Sequence, residues 1–449
     1  MALIIVGILL LGYLLIATES VTNVNKAAVA IFVCTVGWVL YISYGTDFVM
    51  SQHASEYAVF LHGAPATSIA AKEFIAQHVF LIYVGKACEI VLFLLATRTI
   101  VDILDRNECF DFITQLLATR SSSRMLWLLG LVTLLVSANL DNLVTTVMML
   151  MVMRKLVHNR RQRMVFGSAI VIAANCGGAM TVIGSPTGLM LWNAGLVSAS
   201  HFFLTLVVPC LLAWAIPTWW IGRSLPEHVE SEMMTLSYRG DDSRLAVWQR
   251  MLMLCWGLGG LWFIPTFHNI TKLSPFLGAL CVLSVLWVVN EIFNRKFAET
   301  GGMSERRVPT VFQDGSHQLV LFVLGMMMAW GVVKETGALD TLWDFVRQQG
   351  ITDPMLAMSA GAVSAVLDNF ATAGSFIMIH PTAGQNDSYW SMIAFMSAVG
   401  GNILSVGSIS GRALMGTEKM RVGWYFSQVG WKAMVGMLAG FAVLWLTTI

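Results

Sequence analysis

The sequence predicts an all-α polytopic membrane protein: two inverted repeats of five transmembrane helices, each repeat with a re-entrant hairpin and a broken helix. Three observations predict it. Apolar runs of about 20 residues, the length that spans a bilayer core, recur along the whole chain. Two longer apolar stretches carry Asp-Asn at their centres. One ordered set of motifs occurs once in each half.

Composition agrees with a membrane protein. Of 449 residues, 57% are hydrophobic and 12% charged, where a soluble chain carries about 25% charged residues. The net charge is +1, and no basic stripe is long enough to follow phosphates, which excludes nucleic acid as a partner class. The seven cysteines are scattered without C-x-x-C spacing or a Cys/His cluster. They read as small apolar helix residues.

Ten full spans are expected, near 2–17, 26–44, 77–103, 163–198, 201–221, 250–268, 274–293, 315–335, 389–417 and 424–447. The first lacks a basic leader and a small-residue cleavage site, so it reads as a retained span and not a signal peptide. The interrupted stretches near 124–153 and 354–380 are each too long for one ordinary span and too short for two. Both read as hairpins that enter and leave on the same side. Irregular backbone at that depth is tolerated only where protein or a watery cavity surrounds it.

Charge placement tests this layout. With hairpins that do not change side, one face receives Arg106, Arg120, Arg124, Arg154, Lys155, Arg160, Arg161, Arg163, Arg223, Arg239, Arg244 and Arg250. Arg295, Lys296, Arg306, Arg307, Lys419 and Arg421 follow on that face, and the other holds little beyond Lys72, Lys272, Lys334 and Arg347. The asymmetry fits the positive-inside rule and places both termini outside the cytoplasm, periplasmic in a bacterial inner membrane.

The halves divide at 1–225 and 226–449, around the long loop near 222–249. Five spans per half, an odd number, force opposite orientations. Ser137-Ala138-Asn139-Leu140-Asp141-Asn142 returns as Ser364-Ala365-Val366-Leu367-Asp368-Asn369. Gly177-Gly178, Gly184-Ser185 and Gly188 return as Gly400-Gly401, Gly407-Ser408 and Gly411 at the same internal spacing. Interrupted segments at corresponding positions of two halves point to a transporter's binding site.

The chemistry follows from residue type. Asp141 and Asp368 stand where each hairpin must turn, and a carboxylate at membrane depth is costly unless water, a cation or a donor compensates it. The bland alternative is a turn in which Asp and Asn cap helix ends, and Asn142 and Asn369 fit it. The glycine runs, with Pro186, predict unwound segments whose free carbonyls and half-helix ends suit a small ion. Close helix packing by small residues is the alternative. Hydroxyls surround the acids at Thr145, Thr146, Thr181, Ser185, Thr187, Thr372, Ser405 and Ser408. Hard cations prefer such oxygens, although Ser and Thr also bond to their own helix carbonyls. In the third span, Lys86 and Glu89 are spaced to share a helix face, as a self-neutralising pair or a proton relay. Asp102 and Asp105 lie at the inner end of that span.

These residues carry a family resemblance. The run Leu135 through Thr146 resembles the NhaD-type sodium/proton antiporters of the ion-transporter superfamily. So do Glu89-Ile90 through Asp105, Ile172 through Ala179, and Gly400-Gly401 through Lys419, with Gly12 to Ala17 and Asn25 to Ala28. The resemblance covers essentially the whole chain. It implies export of sodium or lithium in exchange for protons, with no further cofactor. It also implies a homodimer and a scaffold beside a moving transport domain of hairpins, broken spans and the spans after them. It carries a cation- and proton-binding role onto Asp141, Asn142, Thr145, Thr146, Asp368 and Asn369, with the two aspartates as the sodium ligands. The chain departs from the family pattern in two places. Ile183-Gly184 is followed by Ser185-Pro186-Thr187-Gly188 where the antiporters usually have an acid, a form similar to sodium-coupled carboxylate carriers. Asp368-Asn369 is followed by Phe370-Ala371-Thr372-Ala373 where they usually have Val-Pro.

The expected function is therefore cation/proton antiport by alternating access, with sodium and protons competing for buried carboxylates. Sodium-coupled symport of a small anion such as a carboxylate is the alternative; the hairpin aspartates place negative charge where an anion would bind. A membrane enzyme would need a nucleophile–base set or a metal cluster, and neither H-E-x-x-H nor Gly-x-Ser-x-Gly occurs.

Overall fold

A computed structural model describes residues 1–22, 24–110, 113, 117, 119, 121–228, 245–298, 317–380 and 383–448. The expected loop charges Arg120, Arg239, Arg244, Arg306 and Arg307 lie outside the described residues. All regular elements among the described residues are helices. Eight are long and apolar enough to cross a membrane, so the chain is a polytopic membrane protein. Apolar side chains that cover helix faces without packing inside are abundant, Leu3, Leu10, Leu204, Trp262 and Leu446 among them. Such faces are stable only against lipid.

The expected spans all carry helix. The N-terminal helix Ala2–Ala17 is followed by Lys26–Ser43, the second span. The third is longer than its apolar run: Ser68–Arg106 forms one helix of 39 residues, with a π-helical stretch at Ile75–Phe80. At 1.5 Å per residue it is about 58 Å long, well beyond the bilayer core. Its N-terminal part packs on the short helices Gly45–Gln52 and Ala54–Leu61, where Tyr57 and Phe60 each meet Phe74 edge to face. Ala199–Gly222, Val247–Thr271, Pro275–Ala298, His317–Glu335 and Val422–Thr448 complete the long helices.

Both Asp-Asn stretches break into paired short helices. The first hairpin is Ser122–Ser137 and Asn142–Leu156; the second is Asp353–Ser364 and Asn369–Ile379. Their arms have 16, 15, 12 and 11 residues, about 16–24 Å at helical rise, and none reaches across about 30 Å of hydrocarbon. At the base of the second hairpin His380 Nε2 lies 3.6 Å from Asp353 Oδ1, so its two ends are neighbours.

Both glycine runs are breaks. Arg160–Met180 and Pro186–Asn193 form the first broken helix, Ser388–Gly400 and Ile409–Glu418 the second. Their first segments are the core of the molecule: every residue from Phe166 to Met180, and from Tyr389 to Gly400, is buried. The two run antiparallel. At one end Asn386 N donates to Leu196 O at 2.8 Å, and Ser198 N to Asn386 Oδ1 at 2.7 Å. At the other, Arg160 Nη2 donates to Glu418 O at 2.9 Å.

The helices that close each half pack on one another. Ala199–Gly222 lies against Val422–Thr448, where Gly436 and Gly440 allow the backbone of Ala213 and Pro209 to approach. Lys26–Ser43 similarly crosses His317–Glu335 with Gly325 against the backbone of Ala30. Small residues at such crossings let dispersion contacts hold helices together where lipid supplies no hydrophobic drive.

Candidate functional site

The hairpin tips and the helix breaks fit together the same way in both halves. A Cβ at Gly177 would overlap Leu134 O, and one at Gly400 would overlap Gly361 O. A Cβ at Gly178 would come within 3.2 Å of Asn142 Cβ, and one at Gly401 would strike Asn369 Oδ1. Gly184 lies against Ser137 O and Gly407 against Ser364 O. The glycines therefore serve both expected roles: they mark the breaks, and they let each break press against its hairpin turn. Ser137 Oγ donates to Ala174 O at 2.6 Å and Ser364 Oγ to Ser397 O at 2.5 Å, which pins each hairpin to its broken helix. Ser405 turns the second break with φ of 62°, a left-handed conformation.

Both aspartates cap the second arm of their hairpin. Asp141 Oδ2 accepts from Leu143 N at 3.1 Å, and Asp368 Oδ1 from Phe370 N at 3.0 Å. The capping alternative raised by the sequence is thus part of the answer. The rest of their surroundings differ. Asp368 is 1% exposed, and its Oδ2 receives Lys26 Nζ and Arg412 Nη2, each at 2.7 Å. Arg412 Nη1 also reaches Glu19 Oε2 at 2.8 Å. Asp141 is partly exposed and makes no ion pair among the described residues; Arg98 and Lys26 are the cations whose charge acts on it. Asp368 is neutralised by cations from other parts of the chain, which a reading of the hairpin alone could not supply.

The hydroxyls divide sharply. Thr145 and Thr372, each one turn after its aspartate, are fully buried, and neither Oγ1 has a hydrogen-bond partner. Leaving a buried donor unsatisfied costs about 1–3 kcal/mol, and both halves carry that cost at the same position. Ser405 Oγ, in the second break, is likewise buried and without a hydrogen-bond partner among the described residues. Four of the other candidates bond within the fold. Thr146 Oγ1 donates to Asn142 O at 2.7 Å and Thr181 Oγ1 to Ala138 O at 2.5 Å. Ser185 Oγ accepts from Gly188 N at 3.3 Å and Ser408 Oγ from Gly411 N at 2.9 Å, each capping its half-helix. Thr187 is buried in the first turn of that half-helix, behind Pro186.

Two amide groups missed by the sequence reading link the breaks. Asn142 Nδ2 donates to Asn175 Oδ1 at 3.1 Å, and Asn175 Nδ2 to Asn402 Oδ1 at 2.8 Å. Ser410 Oγ donates to Asn142 O at 3.2 Å, so the first hairpin tip touches the second broken helix. Asn369 accepts from Ser364 Oγ at 2.9 Å and donates to Ala398 O at 3.3 Å. Lys26, Arg412 and Glu19 were missed as well. A signal existed for Arg412: it follows Gly411 where the first half has Leu189 after Gly188, a charge in a place that is apolar in the other repeat. Lys26 and Glu89 were legible as charges at or inside spans. Glu89 accepts from Asn193 Nδ2, not from Lys86, which is exposed. The self-neutralising Lys86–Glu89 pair is therefore not formed.

The chain resembles known transporters in sequence. Residues 2–400 match the family described as citrate transporter (CitMHS). The chain belongs to the CitMHS family. It is 33% identical over 385 residues to sodium/proton antiporter 1 of Arabidopsis thaliana, which covers 85% of this chain and 64% of that one, just under two thirds of that relative's length. It is 28% identical over 439 residues to sodium/proton antiporter 2 of the same plant, with 96% of each chain covered. The Na(+)/H(+) antiporter NhaD of Alkalimonas amylolytica is 28% identical over 392 residues, 80% of this chain and 77% of that one. The NhaD-type resemblance read from the motifs is thereby borne out.

Two further charged clusters brace this CitMHS chain. Glu418, 2% exposed, receives Arg154 Nε at 3.0 Å and Arg163 Nε at 3.1 Å, which ties the first hairpin and first broken helix to the end of the second. Elsewhere, His53 Nε2 and Tyr83 Oη each contact a Glu335 oxygen at 2.6 Å, and Glu56 Oε2 lies 3.0 Å from His53 Nδ1. Partial burial works against a charged His53 ring, but the two carboxylates outweigh it and raise its pKa above the usual 6.5.

Proposed function

We propose that the chain exchanges sodium, or lithium, for protons across a bacterial inner membrane. The observation that carries this is the first hairpin tip. There a carboxylate without an ion pair, Asp141, precedes the unpartnered buried hydroxyl of Thr145 by one helical turn. An anionic oxygen and a neutral oxygen one helical turn apart suit a hard monovalent cation, by analogy with oxygen-ligated divalent sites. Sodium and a proton cannot both hold the same carboxylate, so loading one displaces the other. The names of the curated relatives support the same cargo.

Alternating access would carry the loaded site across. The matched seating of both hairpins on both breaks and the antiparallel course of the broken helices support two inverted repeats, 1–225 and 226–449. Their hairpins, breaks and closing spans would form the transport domain. The helices Ala2–Ala17, Lys26–Ser43 and His317–Glu335 would belong to the scaffold, and a second copy would complete a homodimer. The gathering of Arg154, Arg160 and Arg163 at the Glu418 end supports a cytoplasmic placement of that end and periplasmic termini. Asp141, Asn142, Thr145, Thr146, Thr181, Ser185, Thr187, Asp368, Asn369, Thr372 and Ser408 would line or brace the ion position, and Glu89, with Lys86, would lie on the route of the proton.

Symport of a small carboxylate is the second reading, favoured by the family description and by Ser185 in place of an acid. Lys26 and Arg412, committed to Asp368 and Glu19, would not be free to meet a carboxylate substrate. Purified protein in liposomes under an imposed pH gradient separates the two. Internal pH should respond when sodium or lithium is added with no organic anion present. A response that requires citrate or another carboxylate would establish symport instead.

A further inference from the structure

We propose that the cation position of the second hairpin is filled by the protein's own side chains, so that each protomer carries a single sodium ion, at the first hairpin. The inference rests on the antiport reading above and adds to it the number of ions and the half that holds them.

The lone pairs of Asp368 are already engaged. Oδ1 accepts the capping Phe370 N–H at 3.0 Å. Oδ2 already receives two cations, the ammonium of Lys26 and the guanidinium of Arg412, both at 2.7 Å. Glu19 closes the group: Oε2 takes Arg412 Nη1 at 2.8 Å and Oε1 takes the backbone N–H of Lys26 at 3.3 Å. Two anions and two cations make a neutral set. The Lys26 ammonium also lies 4.2 Å from the centre of the Phe322 ring, a further stabilising contact for a cation. A sodium ion entering here would add an unbalanced charge a few ångströms from two fixed ones, in surroundings too dry to screen it.

The first hairpin is arranged otherwise. Asp141 has the same cap, from Leu143 N at 3.1 Å, but no ion pair among the described residues. Where Arg412 follows Gly411 in the second half, Leu189 follows Gly188 in the first. The neutral ligand position survives in both halves, because the hydroxyls of Thr145 and Thr372 are alike buried and unpartnered. What separates the halves is therefore charge and not shape. Lys26 and Arg412 act as positioning residues: they stand where a second ion would, and hold the second hairpin to the segment that joins the first two spans.

The test counts ions. Radioactive sodium bound at saturation to purified protein, and the sodium dependence of exchange in liposomes, are measured for the wild type. They are measured again for the double variant Lys26→Gln/Arg412→Leu, which gives the second half the first half's residue. The wild type should bind one sodium per protomer with a Hill coefficient of about 1. The double variant should bind two, with a coefficient above 1, while Lys26→Arg, which keeps the charge, should match the wild type. The wild-type count needs no variant to fold: two ions per protomer overturns the proposal by itself. A folded double variant that still binds one ion overturns it too, because the cations would then not be what excludes the second. Wild-type protein that exchanges no sodium for protons at all would remove the antiport reading, and this inference with it, a result distinct from normal exchange with two bound ions.

Discussion

The two hairpins have turn sequences that differ at one of six positions, the same aspartate cap and the same glycine seat, yet different electrostatic settings. At the first, Asp141 leaves oxygen lone pairs available beside an unpartnered threonine hydroxyl. At the second, Asp368 is buried under two cations that reach it from distant parts of the chain. Two segments with a shared motif thus keep one backbone solution while their charged surroundings differ. Backbone geometry is set by local capping and close glycine contacts, which tolerate little change. A carboxylate's role depends on which side chains surround it, and that can change by single substitutions such as the leucine-to-arginine difference between positions 189 and 412.

The strongest way to break this comparison is to neutralise each acid in turn. Asp141→Asn keeps the cap, so the protein should remain folded while sodium-dependent proton movement in liposomes is abolished. Asp368→Asn should do the reverse of a mild change: it strands Lys26 and Arg412 without their carboxylate. Removing one partner of a buried ion pair costs about 3–5 kcal/mol, so detergent-solubilised protein should melt well below the wild type. Equal melting temperatures for the two variants would show that the hairpins are not electrostatically different.

A smaller effect is expected where the hairpins are alike. Gly184→Ala and Gly407→Ala each push a methyl group into the backbone of the facing hairpin turn, Ser137 or Ser364. Overpacking of this kind costs about 1–3 kcal/mol, and it should be larger at Gly407, where the approach is closer. Thermal denaturation of both variants checks the order. A stable Gly407→Ala protein would mean that the second break is not seated as described.

The threonines sharpen the comparison further. Thr145→Val and Thr372→Val remove buried hydroxyls that have no partner, so neither should lower stability by more than about 1 kcal/mol. Sodium affinity should fall about tenfold, equivalent to 1.4 kcal/mol, for Thr145→Val and stay unchanged for Thr372→Val. Sodium titration of exchange measures both; equal losses would assign ions to both halves.

The smallest expected effect lies outside the hairpins. His53 has its pKa raised by Glu335 and Glu56 in the folded protein. It therefore contributes stability that is fully present below pH 6.5 and lost as pH rises through the raised value. His53→Gln should flatten the melting temperature across that window without altering the ion count of the hairpin site. An unchanged pH profile would show that the ring stays neutral in the fold.

The sequence by itself determined the spans, both hairpins and both breaks. Each is written locally: apolar runs of bilayer length, Asp-Asn at a turn, paired glycines before a Gly-Ser cap. The aspartate caps at 141 and 368 were legible for the same reason, because a cap involves residues two positions apart. The outer helices Gly45–Gln52 and Ala54–Leu61 escaped notice, since short helices on a packed outer surface leave no long apolar run. Only the tertiary structure decided what each carboxylate meets. Lys26 and Asp368 are 342 residues apart, and Glu19 and Arg412 are 393 apart. Ion pairs form between whichever charges helix packing brings within a few ångströms, and desolvation makes each such meeting strongly favourable or strongly costly. No local pattern encodes that proximity, so two nearly identical turn sequences have different surroundings.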